Sequence, residues 1–344
     1  MPDEPCPKTP SEQTRTSSRA PAEAVGRSAI DVSVIVVNYN TANLLKAMRD
    51  ALMRSRGALV VQIIVIDNAS RDDSVKVIQR EFGDAHVIVN QTNVGFGRAN
   101  NQAVGVATGR YLLLLNTDAF VASDTLSKTV AYMDEHPECG VLGVRLVGRD
   151  GERQPAYRFF PNPWNVFLLR SGLTRFFPKV QMVDPPIADD GVPRACDWVV
   201  GCYMLVRHEV IDRCGLFDPR YFLYFEEVDF CRNVKRAGWQ VIYFPQTTVV
   251  HWGGESAKAD GELTPAGKQI SELQIESELL YYRKTFGLAG LLAFVALSWV
   301  TDLIHAIKWI ARGHGMAGLK PVRQHAASVR SLLFRTRIGS VPTR

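Results

Sequence analysis

Val32-Ser33-Val34-Ile35-Val36-Val37-Asn38-Tyr39-Asn40 is the stretch whose reading decides the fold class of this chain. Its largely β-branched, non-alternating run from Val32 to Val37 is the pattern of a strand buried on both faces, as in parallel sheets covered by helices. The run stops at Asn38-Tyr39-Asn40. Apolar positions Leu44, Leu45, Met48 and Leu52 then recur at helical spacing, with Thr41 placed to cap the helix. One strand–helix unit is complete.

Outward from it the unit repeats. Gln62 to Ile66 reads as a second strand, followed by Asp67-Asn68-Ala69 and by Ser70 as the cap of a helix with Asp72 and Asp73 in its first turn. His86 to Val89 is a third strand, leading into Asn93-Val94-Gly95-Phe96-Gly97-Arg98-Ala99-Asn100 and a helix marked by Ala99, Ala103 and Val106. The fourth strand is Tyr111 to Leu115. The alternation predicts an α/β fold: a Rossmann-like, mostly parallel sheet flanked by helices. Ligands of such sheets sit beyond the carboxyl ends of the strands, where Asn38, Asp67, Gly95 and Asp118 all fall.

Farther along, a helix over Ser123 to His136 and a strand over Val141 to Leu146 are expected. The period then weakens from Gly148 to Pro193, which reads as a long loop rich in Pro, Phe and Arg. Regular pattern returns at Trp198 to Val206, a helix over Glu226 to Ala237, a strand over Trp239 to Phe244, and a loop at His251-Trp252-Gly253-Gly254. A helix over Gly267 to Lys284 should end before Gly287. Residues 286–301 carry no charge, and from Leu303 to Arg344 there are eight Lys or Arg and no acid. That combination suits a helix lying at a membrane interface, with a buried C-terminal helix as the alternative.

The chain has 344 residues, 46% hydrophobic and 22% charged, which excludes a wholly disordered, collagenous or coiled-coil protein. A net charge of +5 is too mild to imply a nucleic-acid partner. Residues 1–29 lack the apolar core of a secretory signal and read as a disordered leader. Six cysteines show no CxxC pair and no metal-ligand spacing, which favours reduced thiols in a cytosolic protein and leaves only a Cys196–Cys202 bridge open.

Two acidic clusters carry the chemistry. Leu112 to Leu115 delivers Asn116-Thr117-Asp118 to an exposed strand end, where a carboxylate suits a divalent cation that in turn clamps a diphosphate; capping the next turn is the plainer role. Tyr224-Phe225-Glu226-Glu227-Val228-Asp229 sets three acids among aromatic residues. One acid there would cap a helix, and adjacent buried carboxylates would raise a pKa toward general-base work. His251 is a candidate metal ligand. Gly95-Phe96-Gly97 to Asn100 also reads as a weak dinucleotide fingerprint, which leaves an NAD-dependent oxidoreductase as one alternative and a non-catalytic nucleotide-sugar or carbohydrate-binding module as another.

With these residues in order, the chain from about Val32 to Ser256 resembles the family 2 glycosyltransferases, inverting enzymes of the GT-A fold, and especially their bacterial rhamnosyltransferase-like members. The resemblance implies a catalytic domain over 30–260, and the uncharged stretch and basic tail make 261–344 a helical, membrane-associating extension. It implies a nucleotide-sugar donor held by Asn38, Tyr39, Asn40, Asp67, Asn68, Gly95, Phe96, Gly97, Asn100 and Asn116. Asp118, with His251 as helper, would hold Mg²⁺ or Mn²⁺, the family's DxD motif being reduced here to Asn116-Thr117-Asp118. Glu227 falls where the family's base sits, with Glu226 and Asp229 beside it. The acceptor would be a glycan or lipid-linked hydroxyl, with Arg158 and Trp164 assigned to it, and the site of action the cytoplasmic face of the membrane.

Overall fold

The computed structural model describes residues 29–180, 182, 190–253, 272–313 and 319–344. Residues 1–28 of the expected leader, and the expected helix start at Gly267, lie outside them.

The first half alternates as its periodicity predicts. β1 (Val32–Asn38), β2 (Val61–Asp67), β3 (His86–Val89) and β4 (Tyr111–Leu115) are separated by α1 (Ala42–Ser55), α2 (Ser74–Glu81) and α3 (Phe96–Val104). They lie side by side in the order β3-β2-β1-β4, all parallel. The right-handed crossovers from β1 to β2 to β3 put α1 and α2 on one face, and the return from β3 to β4 puts α3 on the other. β1 and β4 are covered on both faces, which is why Val34, Ile35, Val36 and Leu112 to Leu114 are fully buried without alternation.

β5 (Ala119–Val121), α4 (Thr125–Glu135) and β6 (Cys139–Val147) follow. The stretch read as a loop holds short elements: β7 (Arg153–Gln154), β8 (Tyr157–Arg158), α5 (Pro163–Ser171) and a 3₁₀ turn over Leu173–Phe176. α5 has the start and stop its sequence calls for, with Pro163 in the first turn, the Asn162 side chain accepting from Asn165 N–H, and left-handed Gly172 at its end. Its nine residues are too few to declare a helical period.

β9 (Arg194–Ala195), β10 (Trp198–Val199) and β11 (Tyr203–Arg207) lead to α6 (His208–Cys214), α7 (Glu226–Arg236) and β12 (Gln240–His251). Beyond β4 the sheet continues β11-β6-β12-β5, with β11 antiparallel to both neighbours and β12 parallel to β6. β12 runs seven residues past the expected strand end at Phe244, so His251 closes a strand instead of lying in a loop. Cys196 and Cys202 are separate buried thiols.

The C-terminal part departs most from expectation. α8 (Glu272–Ala311) runs through the expected stop, bent only where Gly287 leaves helical geometry at φ 68° and ψ −165°. A residue with a Cβ is strained at that φ. α9 (Lys320–Arg335) packs back on α8. Ile275, Leu279, Leu280, Tyr281 and Tyr282 are buried in a second apolar cluster together with Tyr221 and Val228 of the α7 region. The body expected to end near residue 260 therefore takes in the first half of α8.

Candidate active site

The sheet order reverses beside β1, with β2 on one side and β4 on the other, so the loops leaving β1 and β4 diverge into a crevice. Buried amides and hydroxyls build its floor. Asn38 Nδ2 donates to Asp67 Oδ1 at 2.8 Å and to Ser70 Oγ at 2.9 Å, and Ser70 N–H donates to Asp67 Oδ2 at 3.0 Å. The Thr41 hydroxyl sits between Asn38 Oδ1 (2.7 Å) and Thr117 Oγ1 (2.9 Å), tying the β1 loop to the β4 loop. Neither Thr41 nor Ser70 caps a helix as expected: α1 has no side-chain cap, and α2 starts four residues after Ser70. Both hydroxyls go to the crevice because orphaned buried polar groups there would cost more than a cap returns.

Asn68 makes the next tie. Its Oδ1 accepts from Asn90 Nδ2 (3.1 Å) and Val94 N–H (3.0 Å), and its Nδ2 donates to Asn93 Oδ1 (2.8 Å). Asn40 Oδ1 accepts from Arg71 N–H, and Asn100 Nδ2 donates to the Phe96 carbonyl. Asn38, Asn68 and Asn100 are thus buried scaffolding. What they frame is a cleft of about 470 Å³ lined by Tyr39, Asp67, Arg71, Val89, Asn90, Asn93 and their neighbours. Arg71 was not singled out from the sequence; only its place directly after Asp67-Asn68-Ala69-Ser70 marks it.

Gly95 and Gly97 do different work from the approach to a nucleotide that the motif suggested. Gly95 has φ 89°, and a Cβ on it would lie 2.5 Å from the Phe222 carbonyl oxygen. A Cβ on Gly97 would meet Phe217 at 3.3 Å and Glu226 at 3.6 Å. Phe96 N–H donates to that same Phe222 carbonyl (2.8 Å), and its ring packs on Phe217 at 6.1 Å. These glycines admit the segment that carries the second acidic cluster. The space a dinucleotide pyrophosphate would need is filled by protein, which removes the oxidoreductase alternative.

That segment is strained where it turns into α7. Tyr224 and Phe225 take φ of 71° and 70°, left-handed geometry that costs non-glycine residues about 1–3 kcal/mol each. Glu226 follows, buried, and Glu227 is partly exposed. Burial pushes both carboxyls above the ordinary glutamate range, and the adjacent Glu227 charge raises Glu226 further. The Oε2 of each has no hydrogen-bond partner. Asp229 differs: its Oδ2 accepts from Lys284 Nζ at 2.6 Å, and Lys284 also bridges to Asp218 at 2.7 Å. Of the three acids, Asp229 is the one engaged in an ion pair.

Asp118 and His251 come together through antiparallel pairing of β5 with β12, in which His251 faces Ala119. Trp252 N–H donates to the Asp118 carbonyl at 3.0 Å. His251 Nε2 stands 3.6 Å from Asp118 Oδ1. Gln154 sets the tautomer: its Nε2 donates to the His251 carbonyl (2.9 Å), so its Oε1 is left to accept from His251 Nδ1 (3.1 Å). The proton is then on Nδ1, and the Nε2 lone pair faces a carboxylate oxygen. Burial lowers the His251 pKa against the pull of Asp118, which keeps the ring neutral at pH 7. Two acceptors turned toward each other fit a shared cation. Asn116 adjoins them through its N–H, which donates to the Cys202 carbonyl (3.0 Å). Cys202 joins the two acidic clusters: burial raises its thiol, and Asp118 and Glu227 both add to the rise.

Residues 33–191 match the family model described as Glycosyl transferase family 2. The chain carries a family 2 glycosyltransferase domain. An N-acetylglucosaminyl-diphospho-decaprenol L-rhamnosyltransferase of Mycobacterium tuberculosis is 25% identical to the glycosyltransferase over 217 residues, 58% of this chain and 69% of the relative. Two solved structures share the fold. GalNAc-T7 with UDP, GalNAc and Mn²⁺ superposes with a TM-score of 0.53 at 15% identity, covering 90% of this chain and 56% of that one. The Pyrobaculum calidifontis mannosyltransferase PcManGT with GDP-Man and Mn²⁺ gives 0.50 at 16% identity, covering 94% and 91%. The glycosyltransferase is therefore of GT-A type.

The two residues expected at the acceptor part company. Arg158 of β8 lies over the Trp198 ring at 5.3 Å, and its charge favours the ionised form of Glu227, which places it beside the acidic turn. Trp164 stands on α5 with its ring against Phe167 (5.4 Å) and Phe177 (6.1 Å), in the layer that packs on α8. Sequence proximity had grouped them; α5 carries Trp164 into the helical layer.

Proposed function

We propose that the glycosyltransferase moves a sugar from a nucleoside-diphosphate sugar to a hydroxyl of a glycan or lipid-linked acceptor, with inversion at the anomeric carbon. The observation that carries this reading is the convergence at one sheet edge of three parts. A cleft of about 470 Å³ lies over Tyr39 and Asp67, the Asp118–His251 pair stands at the end of β4, and Glu227, next to Glu226, flanks the Gly201–Cys202 turn that Asp118 also faces. The cleft has the size and hydrogen-bonding lining of a nucleoside site.

Asp118 and His251 Nε2 are the groups that would hold a divalent cation, and bound there it would offset charge on the diphosphate leaving group. Glu227, partly exposed and with an unpartnered oxygen, takes the acceptor hydroxyl proton as its oxygen attacks the anomeric carbon. Glu226 is buried on the other side of the pair, and burial of Glu227 itself raises its carboxyl above the ordinary glutamate range. One base and one displacement give inversion. Arg158 lies where it can steady an anionic acceptor next to that base. Screening the purified chain with Mn²⁺ against UDP-, dTDP- and GDP-sugars tests the reading: one donor should be hydrolysed, and tight binding of a donor with no turnover on any acceptor would leave a binding module instead.

The support for membrane attachment is the outer face of α8 after Gly287. Leu288, Leu292, Trp299, Leu303, Ile307 and Ile310 are all exposed there. The polar side chains of the same stretch point inward: Asp302 pairs with His325 (2.9 Å), His305 with the Arg170 carbonyl (2.9 Å), and Lys308 donates to the Ser171 carbonyl (2.7 Å). α8 is long and apolar enough to cross a membrane by length and composition, but its first half is buried in the catalytic body and its second packs on α5 and α9. A helix held in that way lies on the cytoplasmic membrane surface with its bare face in the headgroup region. Replacing Leu292, Leu303 and Ile307 together by Glu should cut binding to vesicles containing phosphatidylglycerol by at least about tenfold, with donor hydrolysis preserved. Equal flotation of variant and parent would refute the attachment.

A further inference from the structure

The acidic turn is held from outside the catalytic sheet. Ser277 Oγ, on the first half of α8, donates to the Leu223 carbonyl at 2.8 Å, one residue before the left-handed pair Tyr224–Phe225. The Phe225 ring packs on Tyr281 at 5.0 Å. Arg232, two turns along α7, donates to the same Tyr281 hydroxyl at 2.7 Å. Lys284 Nζ then closes the other side of the turn, joining Asp218 (2.7 Å) before it to Asp229 (2.6 Å) after it. Asp218 is itself gripped by Arg220 at 2.7 Å.

A left-handed pair of aromatic residues does not persist unless its surroundings over-determine it. The grips on the turn that holds this pair come from the C-terminal side at Ser277, Tyr281 and Lys284. They are spaced four and three residues apart, so one face of α8 presents all of them.

We propose that the first half of α8 is the buttress that aims the Glu226–Glu227 carboxylates, with Ser277 and Lys284 as positioning residues for transfer. The inference rests on the reading of that pair as the reacting acids. None of the three α8 residues lines the cleft over Asp67, and among the described residues none hydrogen-bonds to Asp118 or His251, so their effect on chemistry runs through the turn. The buttress also makes the turn answer to the helix whose continuation past Gly287 bears the bare apolar face.

The test uses the full chain with Ser277→Ala, Lys284→Met and Lys284→Arg. Hydrogen exchange of the 221–229 amides is followed alongside turnover of whichever sugar nucleotide the parent hydrolyses fastest, and binding of UDP with Mn²⁺ is measured by calorimetry. Ser277→Ala and Lys284→Met should speed exchange in 221–229 by about tenfold or more while leaving β1 and β2 protected. They should lower kcat by about 10- to 100-fold, since misplacement of a catalytic group by an ångström has that scale, with the donor KM and UDP affinity within about twofold. Lys284→Arg, which keeps a cation between two carboxylates, should recover most of kcat. Ser277→Ala removes one hydrogen bond only and remains informative if Lys284→Met fails to fold. Unaltered exchange in 221–229, or unaltered kcat, in the folded variants would overturn the buttress. A parent that turns over no donor would instead overturn the functional reading and leave the exchange result to decide the buttress.

Discussion

Glu227→Gln should abolish sugar transfer while leaving donor binding in place, with a loss of about 10²–10⁴ in rate, because the amide matches the carboxyl in shape and cannot take a proton. The same variant should be more stable than the parent at neutral pH. The Glu227 pKa in the folded chain lies above its ordinary 4.5, raised by burial. Folding therefore favours the protonated form. Below pH 4.5 the parent carries no penalty, and as pH rises through the raised value it must ionise a buried group and loses stability. The gain from Gln is thus absent in acid and present at pH 7 to 8. Activity of the parent moves the opposite way, rising with pH as the base ionises, with its acid limb above the usual glutamate range. Rate–pH profiles and thermal unfolding of the two proteins check both arms. A variant that is inactive and less stable at pH 7.5 would mean that Glu227 holds the fold and not the proton.

Asp118→Ala should weaken binding of UDP–Mn²⁺ by about 10²-fold and raise the metal concentration for half-maximal turnover by a similar factor, since on the proposed mechanism the carboxylate and His251 would be the cation's protein ligands. His251→Ala should show the same defect at about tenfold. Gln154→Ala, which frees the imidazole tautomer without touching a ligand, should fall between His251→Ala and the parent. Calorimetry with UDP in the presence of Mn²⁺, with and without EDTA, reads all three. Full activity in EDTA would remove the cation from the mechanism and leave Asp118 as a turn-capping acid.

Much of the candidate site's place in the fold was legible because strand ends are. A β-branched or leucine run that stops at a polar residue fixes which side chain stands at the carboxyl edge, and this located Asn38, Asp67 and Asp118 from local pattern. What those residues do was less legible. Asn38 and Asn68 stand at the right edge, yet apart from the Thr41 hydroxyl on Asn38 their amides are taken up by partners 22 to 32 residues distant, so they frame the cleft instead of facing it. Gly95 and Gly97 looked like a phosphate cradle, whereas what they admit is the Phe222 backbone and the Phe217 side chain, more than a hundred residues away. A glycine announces a close approach without naming what approaches.

By itself the sequence determined the α/β alternation, the parallel half of the sheet, the place of the two acidic clusters and the uncharged stretch after Gly287, because each is encoded in the spacing of near neighbours. Tertiary structure alone decided three things. Antiparallel pairing of β12 with β5 brought His251 to Asp118, and Gln154 set its tautomer. The ion pair with Lys284 separated Asp229 from its neighbours Glu226 and Glu227. The packing of Ile275 to Tyr282 against Tyr221 and Val228 joined the C-terminal helix to the catalytic body. Each depends on contacts between segments far apart in the chain, and an amphipathic or charged pattern states that a face will be covered without stating by what.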